Sequence, residues 1–163
     1  MTTASRKRVA LASAATTLAL AGATVALATP PSGDTLMPLA RGSLVKPVKI
    51  NEKVGSGRVK IQTQGALDAL LAQQTLAPGG TGGWHEHAGP HITIVTQGTL
   101  TIIDSECKRH NLSAGHASIA PGPSVEKPEN RSSAPVVFYT TFLVPRGVLI
   151  PRIDEPAPAG CNA

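Results

Sequence analysis

An all-β domain, built as an antiparallel sandwich or barrel, is the fold class this 163-residue sequence predicts. Three observations carry the prediction. From residue 57 onward, short apolar runs alternate with polar residues at period two, the spacing that sends successive side chains to opposite faces of a strand. Turn signals separate those runs: 16 glycines and 14 prolines punctuate the chain, too few for a disordered one. No helical-period segment intervenes as a crossover between parallel strands. The length suits one domain, and a core of Val, Ile and Leu compensates for a 2% aromatic content.

The first 28 residues read as a secretory signal peptide. Arg6, Lys7 and Arg8 form its basic start, an Ala-rich apolar run occupies 9–27, and Ala26-Leu27-Ala28 supplies a small-x-small cleavage signal. A membrane anchor is the alternative, but Ala, Thr and Gly make the run too weakly apolar for a good permanent span. The protein is therefore expected to be secreted, with no stable membrane anchor. Cleavage leaves 135 residues and lowers fifteen basic residues to twelve against ten acidic ones, so the net charge falls from +5 to +2. That removes the main support for a nucleic-acid partner, and none is expected.

Residues 29–56 read as a Pro-rich arm, with Pro30, Pro31, Pro38 and Pro47 as breakers and with Leu44-Val45 and 48–50 as candidates for an edge strand. The barrel is expected over 57–153. Within it, 58–62 alternates as a half-buried strand should, and 69–76 is a second apolar strand, with a helix over 64–72 as the alternative. Residues 78–83 are a long turn. The runs at 92–95 and 100–103 form a hairpin about Gln97-Gly98. Strands follow at 118–120 and 136–143, where alternation divides Phe138, Tyr139 and Phe142 between core and surface.

Residues 154–163 form a C-terminal tail tied by Cys161. The two cysteines, Cys107 and Cys161, both lie in the exported part, where an oxidising compartment favours a disulfide between them. Free thiols or soft metal ligands are the alternatives.

Three of the five histidines fall within the stretch Gly83-Trp84-His85-Glu86-His87-Ala88-Gly89-Pro90-His91. On a strand, His85 and His87 project from one face and Glu86 from the other. Two such imidazoles converge on a single ion with ease, since neutral imidazole ligates Zn, Cu, Fe or Ni. His91 shares their parity unless Gly89-Pro90 shifts the register. His116 reads as a strand residue on the barrel wall, His110 as exposed near Cys107, and Trp84 as packing at the barrel mouth, with substrate stacking as the alternative.

This stretch resembles the first motif of the cupin superfamily: glycine, five residues, H-x-H, three or four residues, glutamate, six residues, glycine. Here the match is Gly79, five residues, His85-Glu86-His87, three residues, His91, six residues, Gly98. A worn second motif follows as Gly115, five residues, Pro121-Gly122-Pro123, two residues, Glu126, three residues, Asn130, with Pro123 in place of a glycine and Glu126 in the histidine position. The resemblance implies a single-domain jelly-roll β-barrel holding a divalent metal on three histidines and one glutamate. Two of those positions are exchanged in this chain, yet His85, His87, His91 and Glu126 keep the inventory of three nitrogens and one carboxylate. That set suits Fe, Mn, Ni, Cu or Zn without choosing among them.

Whether the chain is an enzyme is left open by its residues. A metal-dependent enzyme acting on a small molecule, a non-catalytic metal or ligand binder, and a structural domain with an empty site are the three readings. No catalytic residue apart from the metal set is assigned, because the acidic residues are few and scattered. A homodimer through sheet edges is what the family resemblance implies.

Overall fold

The computed structural model describes residues 28–161, so the signal-peptide reading falls on residues that lie, apart from Ala28, outside the described part. Twelve strands follow in chain order: β1 (Ser32–Ser43), β2 (Lys49–Val54), β3 (Gly57–Gln62), β4 (Leu67–Thr81), β5 (His85–His87), β6 (His91–Gln97), β7 (Thr99–Asp104), β8 (Arg109–Ser113), β9 (Ala117–Ala120), β10 (Glu126–Glu129), β11 (Val136–Pro145) and β12 (Arg152–Asp154). Among the described residues there is no α-helix, and the stretch 64–72 enters strand β4.

Ten of these strands form a jelly roll of two antiparallel leaves. One leaf runs β1-β4-β11-β6-β9 and the other β8-β7-β10-β5-β12, joined at the corner where Glu129 of β10 pairs with Thr81 of β4. Alternation sets the interior. Asp68, Leu70, Ala72, Gln74 and Leu76 of β4 face inward, as do Val136, Phe138, Thr140, Phe142 and Val144 of β11. The apolar interior has two centres. Leu76, Val95, Leu100, Val136 and Phe138 pack at one end, and Leu70, Ala72, Phe142 and Val144 at the other. A third cluster, Trp84 with Ile103 and Cys161, lies where the C-terminal tail folds back. Cys107 and Cys161 are joined in a disulfide, as the compartment argument expects.

Several local expectations change in three dimensions. The runs on either side of Gly98 are strands, but they do not pair with each other. β6 pairs with β9 and β11, whereas β7 pairs with β8 and β10. Gly98, with φ of 77°, turns the chain from one leaf into the other, and a Cβ there would press on Val136. The long turn expected at 78–83 is largely the end of β4, because Thr81 pairs with both Ser32 and Glu129. Residues 77–80 bulge between the Ser32 and Asp34 pairings.

The half-buried strand expected at 58–62 is instead exposed on both faces. It pairs only with β2, in a two-stranded hairpin that no third strand or second layer covers. Ile50, Val54, Val59 and Ile61 are all solvent-exposed there. The Pro-rich segment before it contributes more than an arm. Strand β1 lies along β4 for most of its length, with a register shift after Pro38, a position an edge strand tolerates. The barrel leaf therefore begins at Ser32, well ahead of residue 57.

Candidate metal centre

Strand β5 is three residues long and holds its two histidines inward. His85 is 3% and His87 8% exposed, whereas Glu86 is half-buried on the other face. Pairing on both sides fixes the strand: β12 runs along one edge, with Arg152 opposite His87, and Glu126 of β10 stands opposite His85 on the other. Directly opposed residues project from the same face, so Glu126 reaches the histidines from the neighbouring strand. Pro128 does not disturb this approach, since β10 continues through it opposite Ile102. His91 comes from the other leaf, where β6 pairs it with Phe142.

The four side chains meet between the two apolar centres of the barrel. His85 Nε2 lies 3.2 Å from His87 Nε2. Glu126 Oε1 lies 3.8 Å from His87 Nε2 and 3.5 Å from His91 Nε2. The ligating atoms of His85, His87 and Glu126 all fall within 4.8 Å of one another. The rings of His87 and His91 are 4.4 Å apart, and Phe142 packs 4.9 Å from His87.

Protonation follows from the outer contacts. His85 Nδ1 lies 2.9 Å from Gly83 O, and His87 Nδ1 lies 3.0 Å from Pro151 O. A carbonyl oxygen only accepts, so the His87 Nδ1 that bonds it carries the proton and its Nε2 keeps a lone pair, whereas Arg152 Nη1, 3.0 Å from His85 Nδ1, competes with Gly83 O for that nitrogen. Burial holds both rings neutral. It pushes the pKa of His85 down to about 4, aided by the Arg152 charge, and that of His87 down to about 3, aided by the charges of His85 and His91. The two Nε2 atoms face each other at the separation of two nitrogens each about 2.1 Å from a shared ion.

A void of about 20 Å³ has all four side chains in its wall, together with Thr93 and Thr140. That is room for one ion or one water. The nitrogens of His85 and His87, the Glu126 carboxylate and a space of that size fit a divalent transition metal, whereas His91, 3.5 Å from Glu126, falls outside the set whose ligating atoms all approach within 4.8 Å. His91 differs from its neighbours in that its buried Nδ1 has no hydrogen-bond partner, so its tautomer is not set from outside.

On its open side the centre meets a cavity of about 650 Å³, walled by Leu36, Leu70, Phe142 and Ile150 and reached by His85, His87 and Arg152. Arg152 and the two carbonyls were invisible to sequence reasoning. No motif carries them; the pairing of β12 with β5 brings Arg152 and Pro151 to the histidines, whereas Gly83 bonds His85 from two residues back. The remaining candidates lie elsewhere. Trp84 is fully buried against Ile103 and Cys161, not at the mouth, because the tail covers its face of β5. His116 is exposed in the turn between β8 and β9, not on a barrel-wall strand. His110 is exposed beside Asp104, 2.7 Å away.

Residues 72–142 match the family model described as "Cupin domain". Among solved structures, a sugar phosphate isomerase from a cupin superfamily, from Silicibacter pomeroyi, is 25% identical, with 45% of this chain and 48% of that chain covered and a TM-score of 0.41. A cupin domain from Bordetella pertussis is 17% identical over 60% of this chain and 92% of that one, TM-score 0.42. An uncharacterised conserved protein with a double-stranded β-helix domain, from Klebsiella pneumoniae, is 16% identical over 68% and 85%, TM-score 0.46. The match spans about half the length of the first of these. No curated protein matches the chain.

Proposed function

We propose that this chain, whose residues 72–142 match the cupin-domain model, is an exported protein that binds a divalent metal on His85, His87, His91 and Glu126 and takes a small molecule in the cavity beside it. One observation carries the reading: the Nε2 atoms of His85 and His87, 3.2 Å apart, lie within 4.8 Å of a Glu126 carboxylate oxygen. A bound metal would supply Lewis acidity or lower the pKa of a bound water.

The protein's own groups prepare that site. The Pro151 carbonyl holds the His87 imidazole in its ligating tautomer. Phe142 shields His87 from water, and Glu126 offsets the charge of the cation. The apolar wall of Leu36, Leu70, Phe142 and Ile150 favours a ligand with an apolar body. Export is supported by the N-terminal sequence pattern and by the Cys107–Cys161 disulfide, a bond that persists in oxidising compartments. Among the described residues no helix is long and apolar enough to cross a membrane.

A non-catalytic binder uses the same residues. The first test is elemental analysis of protein purified without a histidine tag, beside a His85→Ala/His87→Ala variant. Near-stoichiometric metal in the parent and none in the variant is the expected result. Metal-free parent under varied metal supply overturns the reading. Turnover across a panel of phenols, thiols and sugars then separates enzyme from binder.

A further inference from the structure

We propose that the β2–β3 hairpin docks the protein on an anionic lipid bilayer, seating its apolar face at the acyl boundary and its cationic face among the headgroups. The inference goes beyond the metal-site reading and does not depend on it.

Pairing divides the hairpin into two unlike faces. Directly opposed residues share a face, so Ile50 with Ile61, Glu52 with Val59, and Val54 with Gly57 make one side. Lys49 with Gln62, Asn51 with Lys60, and Lys53 with Arg58 make the other. Ile50, Val54, Val59 and Ile61 are exposed on the first side, and all four cations are exposed on the second. A two-stranded hairpin is marginally stable in water unless its apolar face is covered. Among the described residues, neither a third strand nor a second layer covers it. The cationic face has its own deficit. Lys53 stands directly across from Arg58, a destabilising like-charge pair. Arg58 Nη1 donates to Asn51 Oδ1 at 2.9 Å, a bond that neutralises no charge.

Positive charge is concentrated in this segment. Residues 46–62 hold five of the twelve basic residues of 29–163 and one of the ten acidic ones. The segment therefore carries +4, and the seven basic and nine acidic residues elsewhere leave −2. Such an asymmetry turns the hairpin toward an anionic surface. Apolar surface continues at its base, where Leu44 N donates to Leu67 O and Arg146 Nη2 to Leu44 O. Val45, Leu149 and Ile150, close to these residues in sequence, are strongly exposed.

An anionic bilayer answers both faces at once. A second copy of the chain over the apolar side leaves Lys53 and Arg58 opposed without an anion, and a soluble polyanion leaves four aliphatic side chains in water. A ribbon at the acyl boundary places its lower side chains in hydrocarbon and its upper ones in a headgroup layer roughly 5–8 Å deep, where the lipid phosphates lie. Glu52 is the one group on the wrong side, and its charge limits the depth of seating. Docking of this kind is reversible and uses no spanning segment.

The chain from Thr29 onward, free of the apolar leader, is tested by co-sedimentation with vesicles of phosphatidylcholine alone or mixed equally with phosphatidylglycerol. The mixed vesicles should bind the parent, and the neutral ones much more weakly. Lys53→Gln/Arg58→Gln/Lys60→Gln should weaken binding roughly fivefold per charge. Ile50→Ser/Val59→Ser/Ile61→Ser should weaken it roughly tenfold or more, and Glu52→Gln should strengthen it. Thermal unfolding checks that the barrel survives each change.

Equal binding to both vesicle types, or none to the mixed ones, overturns the proposal. Full binding by the serine variant shows a contact of charge alone, as with any polyanion, and overturns seating in the bilayer. Weaker binding by Glu52→Gln overturns the assignment of the lipid-facing side. A parent dimer in light scattering that the serine variant disperses, with no vesicle binding, gives the apolar face to a second copy instead.

Discussion

Glu126 stands directly across the β5–β10 ladder from His85, so a carboxylate and an imidazole 41 residues apart in the chain project from one face of the same leaf. Its Oε1 then lies 3.5 Å from His91 Nε2, which arrives from the opposite leaf. The exchange of His and Glu between the two motif positions is thereby absorbed. Each leaf still contributes to one cluster, and only the strand that carries the carboxylate differs.

Glu126→Gln keeps the shape of that side chain and removes its charge. Metal affinity should fall by more than the roughly 10–100-fold typical of losing an outer-shell partner. Dye-competition titration of zinc into parent and variant measures this; a change within twofold would show that Glu126 is not a ligand.

The neutral histidines make the metal-free protein acid-sensitive. Burial lowers His85 to about 4 and His87 to about 3, from an ordinary value of 6.5. Between about pH 4 and 6.5 the unfolded chain therefore binds more protons at these rings than the folded one, and stability rises with pH. Full stability is present above the unfolded value and is lost as pH falls through this window. Two protons give a slope of up to about 2.7 kcal/mol per pH unit. Urea unfolding from pH 4 to 8 should show the rise in the parent and a shallower one in His85→Ala/His87→Ala.

Breaking the Cys107–Cys161 bond frees a loop of 54 residues. The chain-entropy cost is roughly 4 kcal/mol as a model-dependent upper figure. Because Cys161 packs with Trp84 and Ile103, Cys107→Ser/Cys161→Ser should also expose the indole. Tryptophan fluorescence should shift to the red along with the lower denaturation midpoint; an unshifted spectrum would show that the tail stays seated without the bond.

Asn130 is 1% exposed, and its amide bonds the carbonyls of Leu76, Ala77 and Ala134 while its Oδ1 accepts from Ser132. Asn130→Ala removes the side-chain donor to the buried Leu76 carbonyl and to the carbonyls of the exposed Ala77 and Ala134, the last of which keeps the Ser132 hydroxyl, and should cost about 1–3 kcal/mol. Chemical denaturation measures the loss. Metal affinity at the folded baseline should stay within a few-fold, since Asn130 is a scaffold residue of the β4–β11 turn region and not part of the centre.

Period-two alternation made the all-β class legible, and it also placed His85 and His87 inward with Glu86 turned away. It likewise divided Phe138 and Phe142 from Tyr139. Motif spacing singled out His91 and Glu126, and two cysteines in an exported segment indicated one bridge. These are local properties: which face a side chain takes depends on the backbone of its own strand. Partnership is not local. Alternation around Gly98 looks the same whether the flanking strands pair with each other or, as here, with β9 and β11 on one side and β8 and β10 on the other. The strand at 58–62 alternates as a buried strand does, yet nothing covers it. Arg152 and Pro151 O reach the histidines only because β12 returns to β5 across more than sixty residues. The sequence by itself determined the faces, and tertiary structure decided the neighbours, because a strand's hydrogen-bonding edges are the same for every residue type and its partner is chosen by how the whole sheet closes.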